Sequence, residues 1–336
     1  MNKIIPNFQT FSNHIGGIFK QVQKNKNGNI ATYIPELAKV NPDLFGVSIC
    51  TISGQQNSFG DYKEPFCVQS CSKPISYLMA VEQHGFDYVH QHVGCEPSGV
   101  EFNKLILKEV SEIRRIPHNP MVNAGAIISC SLIGNELPLF ERFNKVMNIW
   151  NKLGGNTKVG YQNTTYLSEK TTADRNMCIG YMMQEYNSFP PNTNMLETLD
   201  FYFQTCSIEY NCSQLSVLAA TLANGGINPI TNEKIFEPEN IKNCLSLMSS
   251  SGMYDYSGEW LFKVGIPAKS GVSGCIFLVI PGQMGIALYS PRIDKNGNSL
   301  RGINFANELT NTFNFHQYDI NIPGLKIDKI DPTKDF

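Results

Sequence analysis

Phe66-Cys67-Val68-Gln69-Ser70-Cys71-Ser72-Lys73-Pro74-Ile75-Ser76-Tyr77-Leu78-Met79-Ala80-Val81 places a serine three residues before a lysine at a strand-to-helix junction. Residues three apart in a helical turn share a face, so the Ser70 hydroxyl and the Lys73 amine can meet as nucleophile and base. Pro74 lacks an N–H and is tolerated only in a first turn, which predicts a helix starting at 71–73. Ile75, Leu78 and Met79 follow helical spacing and Gly85 offers a stop, so the helix should be largely buried. Its N-terminal dipole and free N–H groups favour a developing negative charge.

Ser-x-x-Lys by itself arises on the order of once by chance in a chain this long. Its weight comes from Lys269-Ser270-Gly271-Val272 near the other end, just ahead of a strongly apolar strand. Ser-x-x-Lys with a late Lys-Ser/Thr-Gly is the pairing of serine β-lactamases and penicillin-binding proteins.

The flanking sequence supplies the layers. Ile15, Ile18, Phe19 and Val22 form one stripe of a helix over 13–24, and 46–53 reads as a strand. Gly54-Gln55-Gln56-Asn57 turns that strand into a second one leading toward Phe66. From Ser70 to about Ser250 the period is helical; the clearest helix is capped at Ser213, carries Leu215, Leu218, Ala219 and Leu222, and ends in Asn224-Gly225-Gly226. After Pro267 the pattern turns to strand, with a continuous apolar run from Cys275 to Ile280, a turn at Pro281-Gly282-Gln283, and a second run over 285–289. A last helix carries Ile303, Ala306, Leu309 and Phe313.

These readings predict an α/β (α+β) fold in which both chain ends build one mixed sheet and a helical subdomain is inserted between them. In numbers, 1–69 and 251–318 form the sheet subdomain, 70–250 the helical one and 319–336 a polar tail, all within one catalytic unit. The crevice between the layers is where a ligand would sit.

The 336 residues carry a net charge of −2 with both signs interspersed, which excludes the basic footprint that nucleic acid requires. No run approaches the length of a membrane span and 1–19 has no apolar core of a signal peptide, so a cytoplasmic protein without membrane contact is expected. The ten cysteines are scattered through apolar segments and read as buried free thiols of a reducing compartment. His90-x-His92 has no cysteine or carboxylate beside it at zinc spacing, so no metal site is expected.

Further polar clusters interrupt otherwise apolar or Gly-rich segments: Tyr33-Ile34-Pro35-Glu36-Leu37, His118-Asn119-Pro120-Met121-Val122-Asn123-Ala124-Gly125-Ala126, Ser168-Glu169, Asp174-Arg175-Asn176, Asp200-Phe201-Tyr202-Phe203-Gln204 and Ser251-Gly252-Met253-Tyr254-Asp255. Singly, they are turn formers, half-buried tyrosines and solvated charges. In this order they closely resemble the serine-dependent glutaminase family, whose fold is related to that of the β-lactamases. The resemblance runs from about Tyr33 to Tyr318. Its specific parts are Gln-Ser-Cys-x-Lys-Pro at 69–74, Asn-Pro-x-x-Asn-Ala-Gly-Ala at 119–126, Asp-Phe-Tyr-Phe-Gln at 200–204, Leu-Ala-Asn-Gly-Gly at 222–226 and Ala-Lys-Ser-Gly-Val at 268–272. It is similar to the bare catalytic domain, without the ankyrin repeats of mammalian-type members.

The resemblance implies hydrolysis of L-glutamine to L-glutamate and ammonia with no metal or organic cofactor. It implies Ser70 as nucleophile, Lys73 as base, Tyr254 and Tyr202 as proton relays, and the N–H groups of Ser70 and Val272 as oxyanion hole. Tyr33, Asn123, Glu169, Asn176 and Tyr254 would hold the amino-acid head of the substrate. Glu169 suits its ammonium, and the amides of Asn123 and Asn176 suit its carboxylate. For Lys73 to act near neutrality it must shed about three pKa units, a differential of about 4 kcal/mol, which burial away from carboxylates could supply.

Two other readings share parts of this pattern. A β-lactam-hydrolysing or cell-wall peptidase has the same Ser-x-x-Lys and Lys-Ser-Gly skeleton, but an exported enzyme fits poorly with ten cysteines and no export sequence. A non-catalytic scaffold would have no use for the full set of motif residues. The segment 101–116, charged and aliphatic by turns, reads as a mobile loop close to the site. In phosphate-activated mammalian-type members the matching loop is shorter and lies at a contact between dimers. Ile106 stands here where those members have phenylalanine, which implies a homo-oligomer, dimer or tetramer, that works without phosphate.

Overall fold

The strand Cys275–Ile280 shows why this chain folds in layers. Successive side chains of a strand point to opposite faces, so a run apolar at every position needs cover on both sides. In the computed structural model, which describes residues 5–99, 104–319, 322, 324–325 and 328–336, it has that cover. Cys275, Phe277 and Val279 join the core shared with the helical half. Ile276, Leu278 and Ile280 join a second core on the other face.

The sheet has five strands in the order Gln56–Gly60, Gly46–Thr51, Met284–Tyr289, Cys275–Ile280, Ala268–Gly271. Every neighbouring pair is antiparallel, so the sheet is not the mixed one predicted: turns of three or four residues join three of the four pairs, and such short turns allow only antiparallel neighbours. Both ends of the chain therefore build it, as the sequence predicts, and Lys269-Ser270-Gly271 lies on an edge strand. The outer face is covered by the helices Phe8–Val22, Ser257–Lys263 and Leu300–Thr312, whose apolar stripes supply the second core. The first of these starts earlier than its stripe suggests because the Asn7 side chain caps it, accepting from the Thr10 N–H.

The inner face is covered by the helix Cys212–Ala223, packed on Gly46–Thr51 and Met284–Tyr289. A Cβ at Gly285 would lie 2.2 Å from the Ala220 nitrogen, so the helix approaches this closely only because that strand carries a glycine. The cap is Asn211 rather than Ser213, in a capping box with Gln214. Although it falls within the 70–250 segment read as the helical subdomain, this helix belongs by packing to the sheet. The helices Lys73–His84, Asn123–Leu132, Asp174–Glu185 and Met195–Cys206 pack on one another to form the helical half.

Three features depart from the periodicity. A small sheet of Phe66–Cys67, Ile208–Tyr210 and Gly160–Tyr161 ties the site region together, from strands too short to show alternation. The segment read as a loop over 101–116 is in part a hairpin, Lys108–Ser111 paired with Arg114–Ile116 and anchored by the Arg115 N–H on the Tyr186 carbonyl. Its residues 101–103 lie outside those described. The polar tail is not free either: Ile330 pairs its backbone with Thr312 and Asn314, and the Phe336 ring stacks on His14.

All ten cysteines are free; eight are buried, and Cys95 and Cys178 are exposed. No helix among the described residues is long and apolar enough to cross a membrane.

Candidate active site

Ser70 lies in a short 3-10 helix, Gln69–Ser72, that runs directly into the helix Lys73–His84 through the Lys73 N–H on the Ser70 carbonyl. The lead-in is not the α-helical turn expected. A 3-10 turn has three residues, so positions three apart eclipse rather than merely share a face, and Lys73 follows Ser70 by one such turn. The turn is entered through Gln69, held at φ 47°, in the left-handed region that L-residues avoid. Of the six described non-glycine residues with positive φ, four are asparagines; the other two are Gln69 and Tyr254. Strain of this kind persists only where surrounding structure enforces it, and here it brackets one cavity.

That cavity has a volume of about 340 Å3 and lies between the helical half and the sheet edge. Tyr33, Ser70, Asn123, Glu169, Asn176, Tyr202, Tyr254 and Val272 all line it, so the structure brings together every one of these sequence-predicted residues. A larger cavity of about 470 Å3 shares Tyr254 as a wall but is lined by none of Ser70, Lys73 or Glu169.

Lys73 is fully buried. Its ammonium nitrogen donates to Asn123 Oδ1 at 2.7 Å and to the Met121 carbonyl at 3.2 Å. Burial, reinforced by the nearby charge of Lys269, pulls its pKa down to about 7. A cation in the first turn of a helix is also opposed by the dipole. The sequence expectation of a site away from carboxylates is corrected here: Glu169 is close enough to favour the charged amine, but burial and Lys269 outweigh it.

Asn123 heads the helix Asn123–Leu132. Its Nδ2 donates to Asn176 Oδ1 at 3.0 Å, so the amide links Lys73 to the helix Asp174–Glu185. The residues before it explain the Asn-Pro-x-x-Asn-Ala-Gly-Ala pattern. Buried Asn119 accepts from the Met121 N–H at 2.9 Å and donates to the Glu96 carbonyl, fixing the approach to Asn123. A Cβ at Gly125 would sit 1.9 Å from the Asn119 oxygen, so no other residue fits there.

Glu169, on the helix Asn163–Thr171, is buried, and that burial raises its pKa to about 7. The Gln69 amide supports it, donating to its Oε2 at 3.3 Å and to the Cys206 carbonyl at 3.3 Å. Tyr33 is 60% exposed at the mouth. The segment that follows it is held to the Glu169 helix by the Glu36 N–H on Ser168 Oγ.

Ser70 acts to lower the pKa of Tyr254, yet burial outweighs it and pushes that pKa well above the ordinary value; buried Tyr202 is raised for the same reason. Behind the Tyr254 ring, 4.5 Å from its centroid, lies the buried ammonium of Lys269, which donates to the Ser270 carbonyl at 2.8 Å. Burial also lowers this lysine, to about 8. Val272 follows the edge strand in a tight turn closed by the Gly274 N–H on the Gly271 carbonyl at 2.9 Å.

Sequence reasoning gave no role to Gln69, Arg175, Asn296 or Gly297, all of which line the cavity. Asp294-Lys295-Asn296-Gly297-Asn298 is legible as a turn, and it is one, with Gly297 at φ 92°. Nothing local shows that it reaches the site; it does so through Asn298, whose amide donates to the Met253 carbonyl at 3.1 Å. No group of three or more His, Cys, Asp or Glu side chains among the described residues could hold a metal ion.

An antiparallel sheet built from both chain ends, a helical half on one side, and Ser-x-x-Lys facing Lys-Ser-Gly across their junction define the β-lactamase-like fold. The protein-family model described as Glutaminase matches residues 28–318, and the chain belongs to that family. It is 52% identical to the mitochondrial liver isoform of glutaminase from Mus musculus over 94% of this chain and 52% of that protein, so it spans about half of that relative's length. A glutaminase of Trichormus variabilis is 45% identical over 91% of this chain and 89% of its own. The solved structure of a probable glutaminase, ybaS, superposes with a TM-score of 0.83 at 34% identity, covering 90% of this chain and 96% of its own.

Proposed function

We propose that this chain hydrolyses L-glutamine to L-glutamate and ammonia through a γ-glutamyl ester on Ser70. The observation that carries the reading is Lys73, a buried lysine brought down to about 7 beside a serine in a cavity that also holds the buried carboxylate of Glu169. Ser70 Oγ attacks the side-chain amide carbon as neutral Lys73 takes its proton. The N–H groups of Ser70 and Val272 receive the oxyanion, where one such donor is typically worth about 3 to 4 kcal/mol. Tyr254 and Tyr202 pass a proton to the departing ammonia, and water then cleaves the ester.

Glu169 takes the substrate ammonium, and Asn176 and Tyr33 take the carboxylate. Asn123 already accepts from Lys73, so it meets the substrate only by exchanging its bond to Asn176; its standing part is to hold the base. No step calls for a metal or an organic cofactor. The ten free cysteines support a reducing, cytoplasmic setting, and in this reading the chain works as a homo-oligomer, dimer or tetramer.

The decisive experiment is ammonia release from glutamine by wild type and Ser70→Ala. Turnover should vanish while glutamine binding is nearly intact, because Ser70 forms the ester and does not hold the head group. Turnover above roughly a tenth of wild type would refute the mechanism, since a lost nucleophile costs far more than that.

A further inference from the structure

Cys71 and Cys275 are 204 residues apart in sequence, yet their sulfurs meet at 3.4 Å, fully buried. Neither has a part in the reaction above, but each adjoins one half of the oxyanion hole. Cys71 follows Ser70 in the 3-10 turn, and Cys275 opens its strand three residues after Val272. What lets the sulfurs meet is Gly271: a Cβ there would lie 2.7 Å from Cys275 Sγ and 3.4 Å from Cys71 Sγ. We infer that this thiol pair is an oxidation site, closed by hydrogen peroxide to a Cys71–Cys275 disulfide that reversibly suppresses turnover at Ser70.

The surroundings divide the labour between the two sulfurs. Burial alone would hold the Cys275 thiol up. The hydrogen bond shared with Cys71, the Ser273 hydroxyl donating at 3.4 Å and the charge of Lys269 outweigh burial and bring it below its ordinary value. Cys71 is pushed well above its ordinary value, chiefly by burial. Cys275, whose sulfur accepts from Ser273 while Cys71 keeps its proton on the Lys269 carbonyl at 3.3 Å, is therefore the thiolate that reacts first. Its sulfur attacks one peroxide oxygen and the O–O bond breaks, leaving a sulfenic acid on Cys275 and releasing hydroxide, which is protonated to water. Cys71, giving up its proton, then attacks the Cys275 sulfur. The S–S bond forms, the S–O bond breaks, and hydroxide leaves with that proton as a second water. Two thiols lose two electrons, and one peroxide is reduced to two waters.

A disulfide holds its sulfurs at about 2.05 Å, so closure must bring them about 1.4 Å nearer. The strand Cys275–Ile280 is laddered to neighbours on both sides, whereas the 3-10 turn is a single short element. The turn is what moves, and it carries the Ser70 N–H and Oγ with it.

The test treats the full chain with hydrogen peroxide, removes the oxidant, alkylates the denatured protein and maps its peptides by mass. A peptide pair joined through Cys71 and Cys275, lighter by two hydrogens, is expected. Ammonia release should fall by about tenfold or more, a part of the roughly hundredfold to thousandfold that a lost oxyanion donor costs, and return with dithiothreitol. Cys275→Ala, with Cys71→Ala as the second variant should the first not fold, should keep basal turnover and lose both the link and the reversible inhibition. A Cys95→Ser/Cys178→Ser background, free of the exposed thiols, should behave as wild type.

Absence of the linked peptide at peroxide doses that fully oxidise Cys95 and Cys178 overturns the inference. So does a formed link with unchanged turnover, or unchanged inhibition of Cys275→Ala. The turnover arm rests on the Ser70 reading and the mass arm does not. If Ser70 is not the nucleophile, reduced Ser70→Ala still turns over, and the linked peptide alone decides whether the site exists.

Discussion

Asn123→Asp is nearly isosteric and changes the charge at the atom that accepts from Lys73 at 2.7 Å. The Asn176 amide, which accepts from Asn123 in the wild type, can turn over and donate to the new carboxylate. An opposite charge within about 4 to 6 Å raises a lysine by roughly one to three units. Lys73 would then move from about 7 back toward its ordinary value. For a two-unit rise, worth about 2.7 kcal/mol, the neutral fraction at pH 7 falls from about a half to about one in a hundred. Turnover at pH 7 and saturating glutamine should therefore drop by roughly 50-fold and recover as pH is raised past the new value. The sign follows from the role, since a base must be unprotonated and a higher pKa displaces the ascending limb of the kcat profile upward. Asn123→Ala removes the acceptor without adding charge, so its limb should stay or move down. The assay is ammonia release across pH 5.5 to 10, in about half-unit steps. An Asn123→Asp enzyme that turns over with its limb where the wild type has it would refute Lys73 as the base.

Glu169→Gln should raise KM by about tenfold to a hundredfold with kcat largely kept, the cost of a charge-assisted hydrogen bond to the substrate ammonium; unchanged KM would make Glu169 a structural group. Lys73 must be neutral and Glu169 ionised, and both gain protons as pH falls through about 7, so log kcat/KM of the wild type should fall toward a slope of two on the acid side. Glu169→Gln should reduce that slope to one, and a slope still of two would show that another group titrates. Gly271→Ala would place a Cβ 2.6 Å from the Val68 carbonyl oxygen, an overpacking that should cost about 1 to 3 kcal/mol and lower the urea midpoint. An unshifted midpoint would contradict the close approach of the edge strand to the Ser70 turn.

Local rules made much of this molecule legible. Pro74 set the helix start to within the stated range, Gly85 stops that helix at φ 79°, and the unbroken apolar run Cys275–Ile280 implied a strand covered on both faces. These signals survive in sequence because proline geometry, glycine freedom and side-chain alternation act over a few residues. The motifs also carried the residues of the cavity, though not its electrostatics. Ser-x-x-Lys says that a lysine can meet a serine. That the lysine's pKa comes down to about 7 depends on burial and on Lys269, nearly two hundred positions away. Glu169 reads as a solvated charge until the fold buries it against Gln69. Asn123 reads as a turn former until its oxygen is found on Lys73. The helix Cys212–Ala223 lies in the helical stretch by sequence and on the sheet by packing. Desolvation and long-range contact are properties of the packed chain, and no local pattern encodes which distant group closes over a side chain.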